Sequence, residues 1–222
     1  MERVNNKIKI LLLGDASVGK TTIVDSFINN EYDDNITPTI GLDYKSKIVY
    51  DTNLQLYDTS GQERFRVLVN SYYRYADVVM FIFSLDNIKT LESIENNWIP
   101  NSNGYYNKDK KPYYVLVGNK SDKKFDECIL HKIKEIREQF NIDYYEVSAR
   151  TLHNIDYLFQ DVYKNYTKNN KYILVDIEEE KKNIVKLNKQ PQTQTQTKRK
   201  ITKKNEDDEE DDYINNLCCI II

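Results

Sequence analysis

Cysteine is scarce, with three in 222 residues: Cys128 inside the chain and Cys218 and Cys219 side by side near its end. That spacing offers neither a disulfide framework nor a zinc site, so a reducing compartment is expected. Nowhere are there the roughly 18 consecutive apolar residues of a membrane span, and Met1 to Lys7 leads into a short strand-like run rather than a signal-peptide core. Membrane attachment would therefore need a covalent anchor or a partner. An excess of one charge is missing too. Residues 1–170 carry 22 Lys and Arg against 24 Asp and Glu, and residues 171–222 carry 10 against 11. Neither segment has the basic excess by which bulk charge marks a nucleic-acid binder. Glycine is limited to six residues and proline to four, and two of the glycines frame the stretch on which the chain turns.

That stretch is Gly14-Asp15-Ala16-Ser17-Val18-Gly19-Lys20-Thr21-Thr22. It follows the apolar run Ile8 to Leu13 and precedes Ile23, Val24, Phe27 and Ile28, which fit one face of a helix. Strand, glycine loop and helix are the context that turns G-x-x-x-x-G-K-[ST] from a chance match into a phosphate-binding loop. The glycines let backbone N–H groups and the helix N-terminus approach phosphate oxygens, Lys20 adds a cation, and Thr21 offers a hydroxyl to Mg²⁺. An ordinary glycine-containing turn before a helix is the plainer alternative.

Further along, Lys45 to Tyr50 and Asn53 to Tyr57 read as a tight hairpin around Asp51-Thr52. Arg64 to Tyr75 reads as a helix, Val78 to Leu85 as a strand buried on both faces, and Thr90 to Trp98 as a helix. Tyr113 to Val117 and Ile142 to Val147 read as strands, and Cys128 to Phe140 and Ile155 to Tyr166 as helices, the first with Ile129, Ile133, Ile136 and Phe140 on one face. This alternation predicts an α/β fold, a doubly wound, mostly parallel sheet of about six strands with helices on both faces. Ligands in such sheets bind at the carboxyl ends of the strands, where the short motifs fall. Residues 1–170 form the expected domain. Residues 171–222, with a Gln-Thr repeat, a basic cluster and the acidic run Glu206 to Asp212, lack the apolar content to offset their own ordering and are expected to be a disordered tether.

Asp58-Thr59-Ser60-Gly61-Gln62 follows a predicted strand. There Asp58 can hold Mg²⁺, usually through water, Gly61 leaves its N–H free for a terminal phosphate, and Gln62 can orient an attacking water. Asn119-Lys120-Ser121-Asp122 points to guanine. The Asp122 carboxylate can accept from the ring N–H and the exocyclic amine together, a donor pair that adenine lacks, and such sites reject the wrong base by on the order of 10⁴. Ser148-Ala149-Arg150 would add backbone N–H groups near the guanine carbonyl.

In order and approximate spacing these motifs resemble those of the Ras superfamily of small GTPases and, within it, the Rab family. Ile40-Gly41-Leu42-Asp43-Tyr44, Gln62 to Arg66 and Ser71-Tyr72-Tyr73-Arg74 carry the Rab likeness, which covers roughly residues 7–168 and the terminal cysteines. The resemblance implies GTP as substrate, GDP as product and Mg²⁺ as cofactor. It makes Thr39 the first-switch threonine that senses the γ-phosphate and Mg²⁺, Tyr32 the aromatic beside the guanine edge, and Ile36, Thr37, Pro38 and Thr39 to Tyr44 the effector-reading segment, with Arg64 to Tyr75 as the second switch. Thr39 and Gln62 would serve hydrolysis, which is slow alone and stimulated by an activating protein. Departures are Tyr57 for the usual tryptophan, Ser60 for alanine, Tyr75 for glycine, a shorter hairpin, and Ala16 and Ser17 where Ras has glycines. A Ras- or Rho-like signalling GTPase and a GTP-binding scaffold with little hydrolysis are the alternatives.

The end, Leu217-Cys218-Cys219-Ile220-Ile221-Ile222, fits a C-a-a-X pattern at Cys219, and its doubled cysteine resembles Rab ends that receive two geranylgeranyl groups. Stable anchoring takes two signals, and the acidic run lies nearer the membrane than the basic cluster, so two lipids are expected rather than one lipid and charge. The implied partners are an exchange factor, an activating protein, effectors, and prenyl-transfer and membrane-extraction chaperones. A monomer is expected, on the cytoplasmic face of an intracellular or plasma membrane with a chaperone-bound cytosolic pool.

Overall fold

The structure is a computed structural model and describes residues 7–34, 37–61, 72–102, 104, 111–125 and 127–168. Its strands are β1 (Lys7–Leu13), β2 (Leu42–Val49), β3 (Thr52–Thr59), β4 (Val78–Ser84), β5 (Tyr113–Asn119) and β6 (Asp143–Glu146). Among the described residues, four longer helical segments alternate with them. These are α1 (Lys20–Asn29), α2 (Ile88–Ser93, continuing through a π-helical turn Ile94–Trp98 into Ile99–Ser102), α3 (Glu127–Phe140) and α4 (155–168). The six strands form one sheet in the order β2-β3-β1-β4-β5-β6. Only the β2–β3 pair is antiparallel.

Strand periodicity divides the core in two. Along β4, Val78, Met80 and Ile82 face one layer while Val79, Phe81 and Phe83 face the other, because successive side chains leave a strand on opposite sides. Both faces are covered, so all seven β4 residues are buried and the strand shows no polar alternation. On the first face, Ile23, Val24 and Phe27 of α1 meet Leu158, Phe159 and Val162 of α4. Phe27 and Phe159 stack there with ring centroids 3.9 Å apart. The second face is closed by Leu91, Ile94 and Trp98 of α2 and by Ile129, Ile133 and Ile136 of α3.

Two local expectations are corrected. The hairpin turns at Tyr50-Asp51, whose φ values of 47° and 64° are both left-handed, the arrangement of a tight two-residue hairpin loop. Thr52 is buried in β3 opposite Val49. A left-handed tyrosine is unfavourable by itself, but Tyr50 packs on Tyr163 and donates its hydroxyl to Gln160 Oε1 at 3.2 Å, both on α4. Second, β3 runs on through Asp58 and Thr59, since β2 pairs with it down to Leu42–Thr59, so Asp58 sits inside a strand rather than after one. Of the expected helix Arg64 to Tyr75, only 72–75 falls within the described residues, and 72–73 are helical.

Candidate nucleotide site

The carboxyl ends of β1, β3, β5 and β6 lie along one edge of the sheet, since Leu12 pairs with Asp58, Ser84 with Asn119 and Gly118 with Glu146. A cavity of about 600 Å³ opens over that edge. Its walls come from five separate parts of the chain: Ala16, Ser17, Gly19 and Lys20 to Thr22; Tyr32 with Thr37, Pro38 and Thr39; Thr59 to Gly61; Asn119, Lys120, Asp122 and Lys123; and Ala149 and Arg150. The site expected from motifs scattered over 136 positions is thus brought together. Gly14, Asp15, Val18, Asp58 and Ser148 do not line the cavity, and each supports a residue that does. Gln62, Ile36, Cys218 and Cys219 lie outside the described residues.

The loop between β1 and α1 needs its glycines. Gly14 has φ 147° and a Cβ there would fall 2.0 Å from the Ile82 carbonyl oxygen. Gly19 has φ 95° and a Cβ there would meet Asn119 Nδ2 at 2.3 Å. No side chain caps the α1 N-terminus, which leaves its N–H groups and the positive end of its dipole to the cavity. Lys20 is buried and donates Nζ to the carbonyls of Gly14 and Asp15, each at 2.8 Å. Burial pulls its pKa down to about 8, against the opposing pull of Asp58 and Asp15.

Behind the loop, three oxygens gather. Thr21 Oγ1 donates to Asp58 Oδ2 at 2.5 Å and lies 2.6 Å from Thr39 Oγ1, which is 3.2 Å from the same carboxylate oxygen. Asp58 Oδ1 is buried and has no hydrogen-bond partner among the described residues. Burial raises the Asp58 pKa, although Thr21, Lys20 and Thr39 all oppose the shift. An unpaired buried carboxylate oxygen beside two hydroxyls suits a cation. Among the described residues no three His, Cys, Asp or Glu side chains cluster as a metal cage. One carboxylate with hydroxyls fits Mg²⁺, which keeps waters and phosphate oxygens as its other ligands.

At the other end, Asp122 is aimed by Ser148, whose Oγ donates to Asp122 Oδ1 at 2.6 Å and accepts from Thr151 N at 3.2 Å. Asn119 stitches two loops together: Nδ2 donates to the Val18 carbonyl at 2.9 Å and Oδ1 accepts from Ala149 N at 3.1 Å. Sequence reasoning assigned nothing to Asp86. Its carboxylate accepts from Lys123 Nζ at 2.6 Å and lies 3.8 Å from Lys120 Nζ. Partial burial works against ionisation, yet Lys123, Ser84 and Lys120 hold the Asp86 pKa below the usual carboxylate value. Asp15 was expected at the nucleotide, but its side chain turns away, accepting from Ser93 Oγ and Trp98 Nε1.

The Ras family model matches residues 9–168. Similar proteins include Ras-related protein Rab-1 of Theileria annulata, 32% identical over 74% of this chain and 76% of the relative. Ras-related protein Rab-10 of Diplobatis ommata is 35% identical over 68% and 76% of the two chains, and Ras-related protein RABC1 of Arabidopsis thaliana 31% identical over 84% and 90%. The chain belongs to the Ras family, as a Rab-type small GTPase.

In this Rab GTPase the segment expected to read effectors runs from the cavity onto the sheet edge. Thr37 to Thr39 line the cavity, Ile40 is 84% exposed, and the Gly41 carbonyl accepts from Ser60 N at 2.8 Å before β2 begins at Leu42. Tyr57, in place of the usual tryptophan, lies between Tyr44 and Tyr72 with ring centroids 5.4 and 5.5 Å away. Three tyrosines thus pack side by side there. Ser60 is buried at the cavity wall, and Tyr75 is 62% exposed with Lys9 Nζ 5.4 Å from its ring centroid.

Proposed function

We propose that this Rab GTPase is a membrane-tethered switch of intracellular vesicle trafficking, cycling between GDP and GTP with Mg²⁺. The loop Gly14 to Thr22 would take the phosphates, Asp122, Asn119 and Ser148 to Arg150 the guanine, and Tyr32 its edge. Thr21, Thr39 and Asp58 would hold Mg²⁺, which would supply positive charge to offset that of the phosphates during hydrolysis. Gly61 would offer its backbone N–H to the terminal phosphate, and Gln62 would orient the attacking water.

The observation that carries the reading is the meeting of Thr39 with Thr21 and Asp58. A residue 18 positions from Thr21, in the proposed effector-reading segment, reaches the hydroxyl and carboxylate that would hold the metal. Occupancy of that position is thereby linked to the exposed face at Ile40 to Tyr44. Loss of the γ-phosphate releases Thr39, and exchange and activating proteins set how often that happens.

The anchor is Cys218 and Cys219, each carrying a geranylgeranyl group, with chaperones that transfer the lipids and extract the protein; no described helix is long and apolar enough to cross a membrane. Fractionation of cells expressing the tagged chain tests this. Wild type is expected in the membrane pellet, and a Cys218→Ser/Cys219→Ser variant in the soluble fraction. A double variant that still pellets contradicts the anchor, and mass spectrometry finding lipid on Cys219 alone contradicts the paired modification.

A further inference from the structure

The chain has a single tryptophan, Trp98, and its indole N–H is directed at the phosphate loop. Trp98 Nε1 and Ser93 Oγ both donate to Asp15 Oδ1, each at 2.8 Å. The two donors are five residues apart. In a regular α-helix such residues project about 140° from each other. Here the turn Ile94–Trp98 is π-helical, with the Ile99 N–H bonded to the Ile94 carbonyl. That five-residue spacing turns both donors to one side, and inserted turns of this kind recur at functional positions.

The peptide that follows Asp15 is used twice within the site. Its carbonyl oxygen accepts from Lys20 Nζ at 2.8 Å. It also forms the floor under Gly61, where a Cβ would fall 2.2 Å from Ala16 N and 2.5 Å from the Asp15 oxygen. One side chain is therefore tied outward to α2 while its peptide bears the loop lysine and the glycine of the following switch. We infer that Asp15 is a positioning residue: Trp98 and Ser93 clamp its carboxylate, and through it α2 fixes the 15–16 peptide that keeps Lys20 and Gly61 in place and so sets how long nucleotide stays bound. The inference rests on the reading of Gly14 to Thr22 as the nucleotide loop.

Release of fluorescent mant-GDP from the full chain, chased with excess GDP in Mg²⁺, tests it. Asp15→Ala removes an acceptor of two charge-assisted hydrogen bonds and is expected to release about tenfold faster. Asp15→Asn keeps an Oδ1 that can accept from both donors and should stay near wild type. Trp98→Phe keeps the packing ring without the N–H and should fall between the two. Val162→Ala, a core truncation on the other face of the sheet, controls for general loosening and should release as wild type does despite a lower Tm. The indole emission of Asp15→Ala should also shift from that of wild type, while Asp15→Asn does not.

Wild-type release rates in Asp15→Ala would overturn the inference, as would Asp15→Asn as fast as Asp15→Ala, or equal acceleration by Val162→Ala. A wild-type chain that takes up no guanine nucleotide would contradict the reading of the loop, and the clamp with it.

Discussion

Replacement of Asp122 by asparagine tests base recognition with little disturbance of the fold. The carboxylate is held by Ser148 Oγ at 2.6 Å, and an asparagine Oδ1 can accept the same hydrogen bond, so the loop should keep its shape. What changes is the face toward the base. A carboxylate accepts from both the ring N–H and the exocyclic amine of guanine, whereas a carboxamide offers one acceptor and sets its own N–H against that amine. Hydrogen bonds to charged groups are worth about 1.5–3 kcal/mol each. Losing or inverting two of them should weaken GTP by about 10²–10⁴-fold, at 1.4 kcal/mol per decade. Xanthine carries a carbonyl where guanine carries the amine, so the same variant should gain affinity for xanthosine triphosphate. Displacement of a labelled nucleotide by GTP, xanthosine triphosphate and ATP reads all three. Unchanged GTP affinity, or equal weakening toward every nucleotide, would refute the assignment of Asp122 to the base.

Burial disfavours the charge of Lys20 and pulls its pKa from 10.5 down to about 8. GTP affinity should therefore fall as pH rises through 8, with proton uptake on binding visible in calorimetry across buffers of different ionisation enthalpy. The sign for stability is opposite: between about 8 and 10.5 the unfolded chain binds more protons, so this lysine makes the fold gain stability as pH rises through that window. Gly61→Ala would place a methyl 2.2 Å from Ala16 N; nucleotide should still bind, while single-turnover hydrolysis drops by roughly two decades or more, in line with the loss of an oriented N–H donor. Phe159→Ala should lower unfolding free energy by about 3–5 kcal/mol in urea titrations, since its ring is fully buried and stacked on Phe27.

The fold was legible where period and burial agree. Val78 to Leu85 reads as a strand buried on both faces, found as Val78–Ser84, and the 129, 133, 136 spacing of α3 reads as one apolar side and is found so. The motif residues fell at strand ends because glycines and short polar side chains interrupt apolar runs there. What could not be read depends on partners far away in sequence. The hairpin turns at Tyr50-Asp51 because Gln160 and Tyr163 hold a tyrosine in a conformation that its own preference disfavours. Asp58 is inside β3 because Leu42 to Tyr44 extend the ladder opposite it. Asp15 sits in the phosphate-loop pattern, yet its side chain belongs to Trp98, 83 positions on. Asp86 carries no motif, and its use as the counter-charge for Lys120 and Lys123 appears only when β4 and β5 lie side by side.

The central claim is a GTP-hydrolysing switch, and single-turnover release of phosphate from protein preloaded with γ-labelled GTP and Mg²⁺ addresses it most directly. The account predicts slow release alone, on the order of 10⁻⁴ per second as in related GTPases, and acceleration by a Rab-type activating protein of up to roughly 10⁵-fold, with no turnover of ATP. GTP that stays intact at every concentration of activator, or ATP hydrolysed at the same rate, would contradict it.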